Sequence, residues 1–456
     1  MTERNVHLAR CLILAAVPAM LFANSGTNAA VPAPPLKRTG AQADGGLSCT
    51  ACHATFPVNS GSGFVRIHTG FYTPGVKQTV VVEVSDPDGQ RWGFQLIARL
   101  VSDETRQAGT FSTSDDVQVR CDDGQVRGAP APCNNQLEFA SHTGPGTRAG
   151  TAGPRKFTVE WTPPATDVGP IQFYAAGNAA NGNLNSQGDR IYTTSYRIGS
   201  CSMTVAPTIR DGGIGNAASF RPLISSNGMI SIFGSGFARA GDRWSATAGD
   251  VIDDKLSTEL ACVAVEVGGK RAPVGYVQAD QINAQAPILE GVGPMPVRVI
   301  LNPGRPSEVR SAALNAQVGT YSPAFFTFNG RSIAALNVTQ ENKILADTSV
   351  VPGGVSARPG DIVTLYGTGF SYTDPVYQTG EFSSGPAPLR DAVTVTIGGV
   401  ELGRADVLYG GLSPDAPGFY QFNVRVPASV ADGNAAVTIR IGGVATQDGA
   451  TIPVKR

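Results

Sequence analysis

The chain is expected to be all-β, built from tandem β-sandwiches. Three observations predict this. It holds 55 Gly and 32 Pro in 456 residues, about 19% against a usual background of roughly 12%. Only 16% of residues are charged, while 41% are hydrophobic, so a core is available and turn formers are plentiful. Short runs with alternating or β-branched character recur along the chain, and none keeps a helical period for four turns.

In chain order, residues 1–30 have the pattern of a signal peptide. Arg4 and Arg10 lie in a basic opening, and residues 11–23 (CLILAAVPAMLFA) are apolar. That run is short for a membrane span of about 20 residues and right for an export signal. An N-terminal membrane anchor is the alternative. Cys11 precedes the apolar run, which argues against lipidation. Removal of this segment leaves six Cys and three His. No later stretch reaches spanning length, so no membrane span is expected in the mature chain, and its location is expected to be periplasmic, secreted or at the cell surface. There thiols tend to pair.

Residues 31–48 are rich in Pro and Gly and are expected to form a flexible leader. Residues 49–204 follow as a first sandwich. Its expected strands are 79–85 (TVVVEVS), 92–100 (WGFQLIARL), 156–161 (KFTVEW), 171–175 (IQFYA) and 191–198. Asp86-Pro87-Asp88-Gly89 is a turn between two of them, Pro presetting φ and Gly supplying positive φ.

The rest of the chain repeats itself. SIFGSGF at 231–237 matches TLYGTGF at 364–370, and VAVEVGG at 263–269 matches VTVTIGG at 393–399. QIN at 281–283 matches QFN at 421–423, and PVRV at 296–299 matches AVTI at 436–439. Four matches in one order at near-constant spacing mark two related β-sandwich units, 205–325 and 326–456. The Gly ending each FGSGF-like strand marks a backbone position that suits Gly alone.

These segments also resemble known families. GNAASF at 215–220, SIFGSGFA at 231–238, QINAQAP at 281–287, TLYGTGF at 364–370 and YQFNVRVP at 420–427 resemble a bacterial C-terminal domain family with two immunoglobulin-like units of the IPT/TIG kind. That family's role is undetermined. The first sandwich resembles the reelin-like, choice-of-anchor V family. The resemblance rests on CTACH at 49–53, YTPG at 72–75, WGFQL at 92–96, FTVEW at 157–161, FYAAGNAANGN at 173–183 and GDRIY at 188–192. It implies an exported β-sandwich attached to cells by diverse C-terminal anchors. This chain departs from the family in showing no sorting helix or basic stop-transfer tail.

One motif carries chemistry. Cys49-Thr50-Ala51-Cys52-His53 is a C-x-x-C-H, the attachment signature of c-type haem, and this composition predicts about 0.001 chance matches. Two thiols bond the vinyl groups, and the adjacent His reaches the iron. One covalent haem c is therefore expected, on Cys49 and Cys52, with His53 as proximal ligand. His142 is the candidate distal ligand, and His68 and Met203 are weaker ones. A local Cys49–Cys52 disulfide, a Zn site or a redox dithiol are the alternatives. The remaining Cys are assigned to structure: Cys121 and Cys133 bracket a turn-rich loop, which leaves Cys201 and Cys262 to pair. The amide-rich loop around residues 178–185, with Asp189, is a weaker candidate for a cation or glycan.

The functional expectation is an exported protein with a single covalent haem, an electron-transfer or redox accessory with a redox partner not identified by the sequence. The alternative is a haem-free adhesion, matrix or ligand-binding protein that meets a cell-surface or extracellular ligand. With 35 basic and 36 acidic residues and no polybasic block, nucleic acid is not an expected partner. No G-x-S-x-G, H-E-x-x-H or P-loop is present, and no enzymatic activity is expected.

Overall fold

A computed structural model describes residues 33–414 and 416–456. The expected signal peptide lies outside the described residues, as do the first two residues of the leader.

The described chain is β throughout apart from short 3-10 turns. In the first sandwich, β1 (Phe64–His68), β2 (Gln78–Ser85), β9 (Arg155–Thr162) and β5 (Thr110–Phe111) form one antiparallel sheet in that order. The facing sheet runs β11 (Arg190–Ile198), β10 (Ile171–Ala180), β3 (Arg91–Leu100), β8 (Glu138–His142), β6 (Val117–Cys121), β7 (Ala129–Pro130), and β4 (Asp103–Gln107) also pairs with β3. Alternation explains the core. Val80, Val82 and Val84 of β2 and Phe157, Val159 and Trp161 of β9 are fully buried, and they share one cluster with Phe94, Leu96, Ala98, Phe173 and Ala175. The five expected strands all form. The fourth extends to Ala180, through residues expected to be loop, because it pairs with β3 through Ala180 and with β11 through Ala179.

Strand β3 departs from simple alternation, since nine of its ten residues are buried. Gln95, Ile97 and Arg99 face away from the core and still lie covered. The cover is the segment expected to be a flexible leader, and residues 33–48 are instead held in place. Gln95 accepts the Arg38 N–H at 2.7 Å and donates to the Pro35 carbonyl at 3.0 Å. Leu36 packs with Ile97 and Phe139. Arg99 pairs with Asp44 at 2.6 Å, both side chains buried. A sheet face carrying an isoleucine and an arginine needs cover, and the leader supplies apolar contact and a counter-charge.

Two further sandwiches follow, and all four repeated motifs occupy equivalent strands. Met229–Ser235 pairs with Gln281–Gln285, as Ile362–Thr368 pairs with Tyr420–Arg425. Val263–Val267 pairs with Gly293–Leu301, as Val393–Ile397 pairs with Gly433–Ile441. Gly236 and Gly369 adopt φ of +75° and +81°, which is why the motif ends in Gly. Ala324–Phe325 already pairs with the third sandwich.

No flexible linker separates the three. Between the first and second, a disulfide joins Cys201 to Cys262, Trp244 packs edge-on against Phe71 at 4.5 Å between centroids, and Arg239 pairs with Asp167. One hydrophobic cluster runs through both sandwiches. Between the second and third, buried polar groups meet. The Met229 N–H donates to Thr368 Oγ1 at 2.7 Å, and the Gly380 N–H donates to Gln285 Oε1 at 2.8 Å. The third sandwich keeps its own core.

Candidate functional site

The leader delivers the C-x-x-C-H motif to the outer face of the β3-containing sheet. Cys49–Ala51 form a single 3-10 turn, started by Ser48, whose hydroxyl accepts the Thr50 N–H at 3.3 Å. The turn closes when the Cys52 and His53 N–H groups both reach the Cys49 carbonyl, at 3.2 and 3.0 Å. Cys49 is half-buried, with its sulfur 3.8 Å from the Arg38 carbonyl, and Cys52 is exposed. Burial pushes the Cys49 thiol up to about 12, so it stays protonated at neutral pH. Neither sulfur is in a disulfide, so the local Cys49–Cys52 bond is not formed here.

His53 is held by two side chains outside the motif. Its Nδ1 lies 2.6 Å from Oδ2 of Asp189, which is buried and immediately precedes β11. The other Asp189 oxygen accepts the Asn181 N–H at 3.1 Å. Asn178 of β10 places its Nδ2 3.4 Å from both ring nitrogens, over the face of the imidazole. Its Oδ1 is buried and lacks a hydrogen-bond partner. An Nδ1–H donated to a carboxylate leaves Nε2 as the basic nitrogen, the arrangement that orients a metal-ligating histidine.

His142 ends β8 and turns its ring against the neighbouring strand. Its Nδ1 accepts the Phe94 N–H at 3.0 Å. Gly93 is required there, because a Cβ would come within 2.8 Å of the ring. Burial, with added repulsion from Arg91 and His53, drives His142 down to about 4, so it is neutral at physiological pH. Gly93 is the register partner of Asn178, so the two imidazoles lie against adjacent strands at the same end of the sheet.

The weaker ligand candidates are elsewhere. His68 sits on β1 in the other sheet, 2.9 Å from Glu83. Met203 packs at the junction with the second sandwich. The amide-rich loop spends its side chains on its own backbone: Asn181, Asn183 and Asn185 each accept the N–H two residues on, at 3.0, 3.0 and 2.7 Å. Among the described residues, no three His, Cys, Asp or Glu side chains converge as they would around a metal ion. The donor set at Cys49, Cys52 and His53 fits a haem better than a bare ion, since two thiols and one oriented imidazole are what the porphyrin and its iron require.

The disulfides Cys121–Cys133 and Cys201–Cys262 form as expected, and they fit an exported protein. Among the described residues, no helix is long and apolar enough to cross a membrane. Sequence reasoning missed the role of Asp189 as partner of His53, and of Asn178 and Gly93. The FYAAGNAANGN, GDRIY and WGFQL segments that contain them were visible, but no local pattern reveals which ring they touch.

No protein-family model matches this chain, and no curated protein matches it. Among solved structures it is similar to the human F-spondin reeler domain, with 19% identity over 32% of this chain and 95% of that one, at a TM-score of 0.22. A structure of the Reelin-N domain of F-spondin gives 20% identity over 33% of this chain and 96% of that one, at 0.21. The Plexin A4 extracellular region gives 11% identity over 87% of this chain and 34% of that one, at 0.20. Likeness at this level assigns no function to the chain.

Proposed function

We propose that this is an exported binding or adhesion protein, a stiff array of three β-sandwiches that presents the first to an extracellular ligand, and that it is not an enzyme. The observation that carries this reading is the direct coupling of all three units, covalent and apolar at one junction and hydrogen-bonded at the other. A small-molecule catalyst or a simple electron carrier has no need of two further sandwiches coupled directly to the first. A protein that must hold a surface away from its point of attachment does. The test is binding of the full exported chain, with both disulfides intact, to envelopes of the producing cells and to insoluble extracellular polymers. Saturable binding supports the reading, and no binding to either overturns it.

One observation favours a second reading, a haem-bearing redox accessory. The two unbonded thiols and the Asp189-oriented His53 fit covalent haem. In that reading Cys49 and Cys52 hold the porphyrin, His53 ligates the iron and His142 is the distal candidate, although its Nδ1 is engaged by Phe94. The haem would supply one-electron chemistry. Co-expression with c-type maturation machinery followed by haem staining of the denatured chain decides this. Covalent haem that disappears in Cys49→Ala/Cys52→Ala establishes it, and a colourless product alongside a matured control cytochrome removes it.

A further inference from the structure

The first sandwich opens at its edge into a cleft of about 1470 Å³. Three segments wall it: the stretch from β4 to just past β5, which crosses from one sheet to the other, the loop closed by the Cys121–Cys133 disulfide, and the Pro163-Pro164 turn after β9. Its lining is mixed: neutral side chains that both donate and accept, among them Gln107, Thr110, Thr113, Asn134 and Gln136, alternate with apolar residues and prolines. The volume exceeds the roughly 300–1,000 Å³ of a compact small-molecule pocket, and polar groups share the lining with apolar ones.

Glu138 lies at the bottom. It opens β8 opposite Cys121 and is only 6% exposed. Its Oε2 accepts the Phe111 N–H at 2.7 Å, and its own N–H donates to Gln107 Oε1 at 3.0 Å. Among the described residues no donor reaches Oε1 and no cation pairs with the carboxylate. Burial raises the acid above the ordinary carboxylate range. A largely buried carboxylate with one oxygen free of protein donors and facing an open cleft can accept a hydrogen bond that a ligand brings.

We propose that this cleft binds a neutral, hydroxyl-rich chain, an oligosaccharide segment, with Glu138 accepting its hydroxyl hydrogen bonds. The lining favours this over a cation. Arg106 lies at the cleft, and Asp122, also in the lining, is already paired with Lys37 at 2.8 Å, so a cationic ligand would find one unmatched carboxylate and a repelling guanidinium. A chain of sugars instead matches many neutral hydroxyl and amide groups spread over a long cleft. A hydroxyl donated to a carboxylate is also about twice as strong as a neutral pair. The inference rests on the binding reading above and is independent of haem.

The test is native affinity electrophoresis of the full exported chain through gels containing barley β-glucan, xylan, galactomannan or starch. At least one gel is expected to retard it. Glu138→Gln is expected to weaken that retardation by about tenfold or more. Gln136→Trp, at an exposed wall position, is expected to abolish it with an unchanged melting temperature. Unaltered mobility in all four gels overturns the proposal, as does retardation that survives both variants. If the parent binds cell envelopes and both variants bind them equally well, the array reading stands and the cleft reading falls.

Discussion

The two junctions of this protein join the same kinds of units by opposite means. Between the first and second sandwiches the contact is chiefly apolar and covalent, with Trp244 on Phe71, one shared hydrophobic cluster and the Cys201–Cys262 bond, and the Arg239–Asp167 and Tyr196–Asp250 pairs add to it. Between the second and third it is polar and buried, with Ser225, Asn227, Met229 and Gln285 bonded across the boundary to Gly369, Thr379, Thr368 and Gly380. Apolar burial is strong and non-directional, so it holds units together without dictating their angle. Buried hydrogen bonds add little net energy, but each must be made, so they set one orientation. The first junction stabilises the array, and the second aligns it.

The comparison breaks first at Trp244. Trp244→Ala is expected to cost about 3–5 kcal/mol in chemical denaturation, because it empties a buried aromatic contact in a cluster shared by two sandwiches. A loss confined to the second sandwich, with the first unfolding as before, would show that the cluster is shared in geometry only. Next, Cys201→Ser/Cys262→Ser is expected to cost about 4 kcal/mol by the loop-entropy model, since the bond closes a separation of 61 residues. The fall in melting temperature under reductant should exceed that of the variant, because reduction also opens Cys121–Cys133.

At the polar junction, Thr368→Val leaves the Met229 N–H without its acceptor and the Gly418 carbonyl without its donor. The expected cost is about 1–3 kcal/mol. Small-angle scattering should broaden for this variant and stay sharp for conservative changes at the apolar junction. A pH titration provides a reference away from both junctions. His142 titrates near 4 when folded and about 6.5 when unfolded, so the unfolded state binds the extra proton between those values. Its contribution is complete above pH 6.5 and is lost as pH falls to 4, on the order of 3 kcal/mol. His142→Gln should flatten that part of the stability curve and leave the junction effects unchanged. The smallest effect is expected at the Lys255–Glu381 pair, 3.0 Å apart across the polar junction with the lysine half-exposed. Lys255→Ala is expected to cost at most about 1 kcal/mol, vanishing in high salt.

Much of this architecture is legible in the residues. Five strands of the first sandwich and both copies of the repeat lie where alternation and Gly turns put them, because a strand half-buried in a sandwich imposes period two on its own sequence. The strands Phe64–His68, Val117–Cys121 and Glu138–His142 were not among those expected, being short, polar or partnered at a distance. The leader is the clearest failure of composition as a guide. Its Pro and Gly suit a mobile segment, yet Asp44 and Leu36 find Arg99 and Ile97 on a sheet formed more than 50 residues later.

The candidate site divides the same way. Cys49, Cys52 and His53 are adjacent in the chain, so their spacing alone names a chemistry, and the Cys121–Cys133 bond follows from one short loop. Asp189 and Asn178 meet His53 across more than 120 residues, and Glu138 becomes a buried acid only when the β4–β5 stretch and a disulfide loop close around it. Residue type and local period are properties of a segment. Burial, the partner of a polar group and the shape of a cleft belong to the packed whole, and they arise only once strands distant in sequence lie side by side.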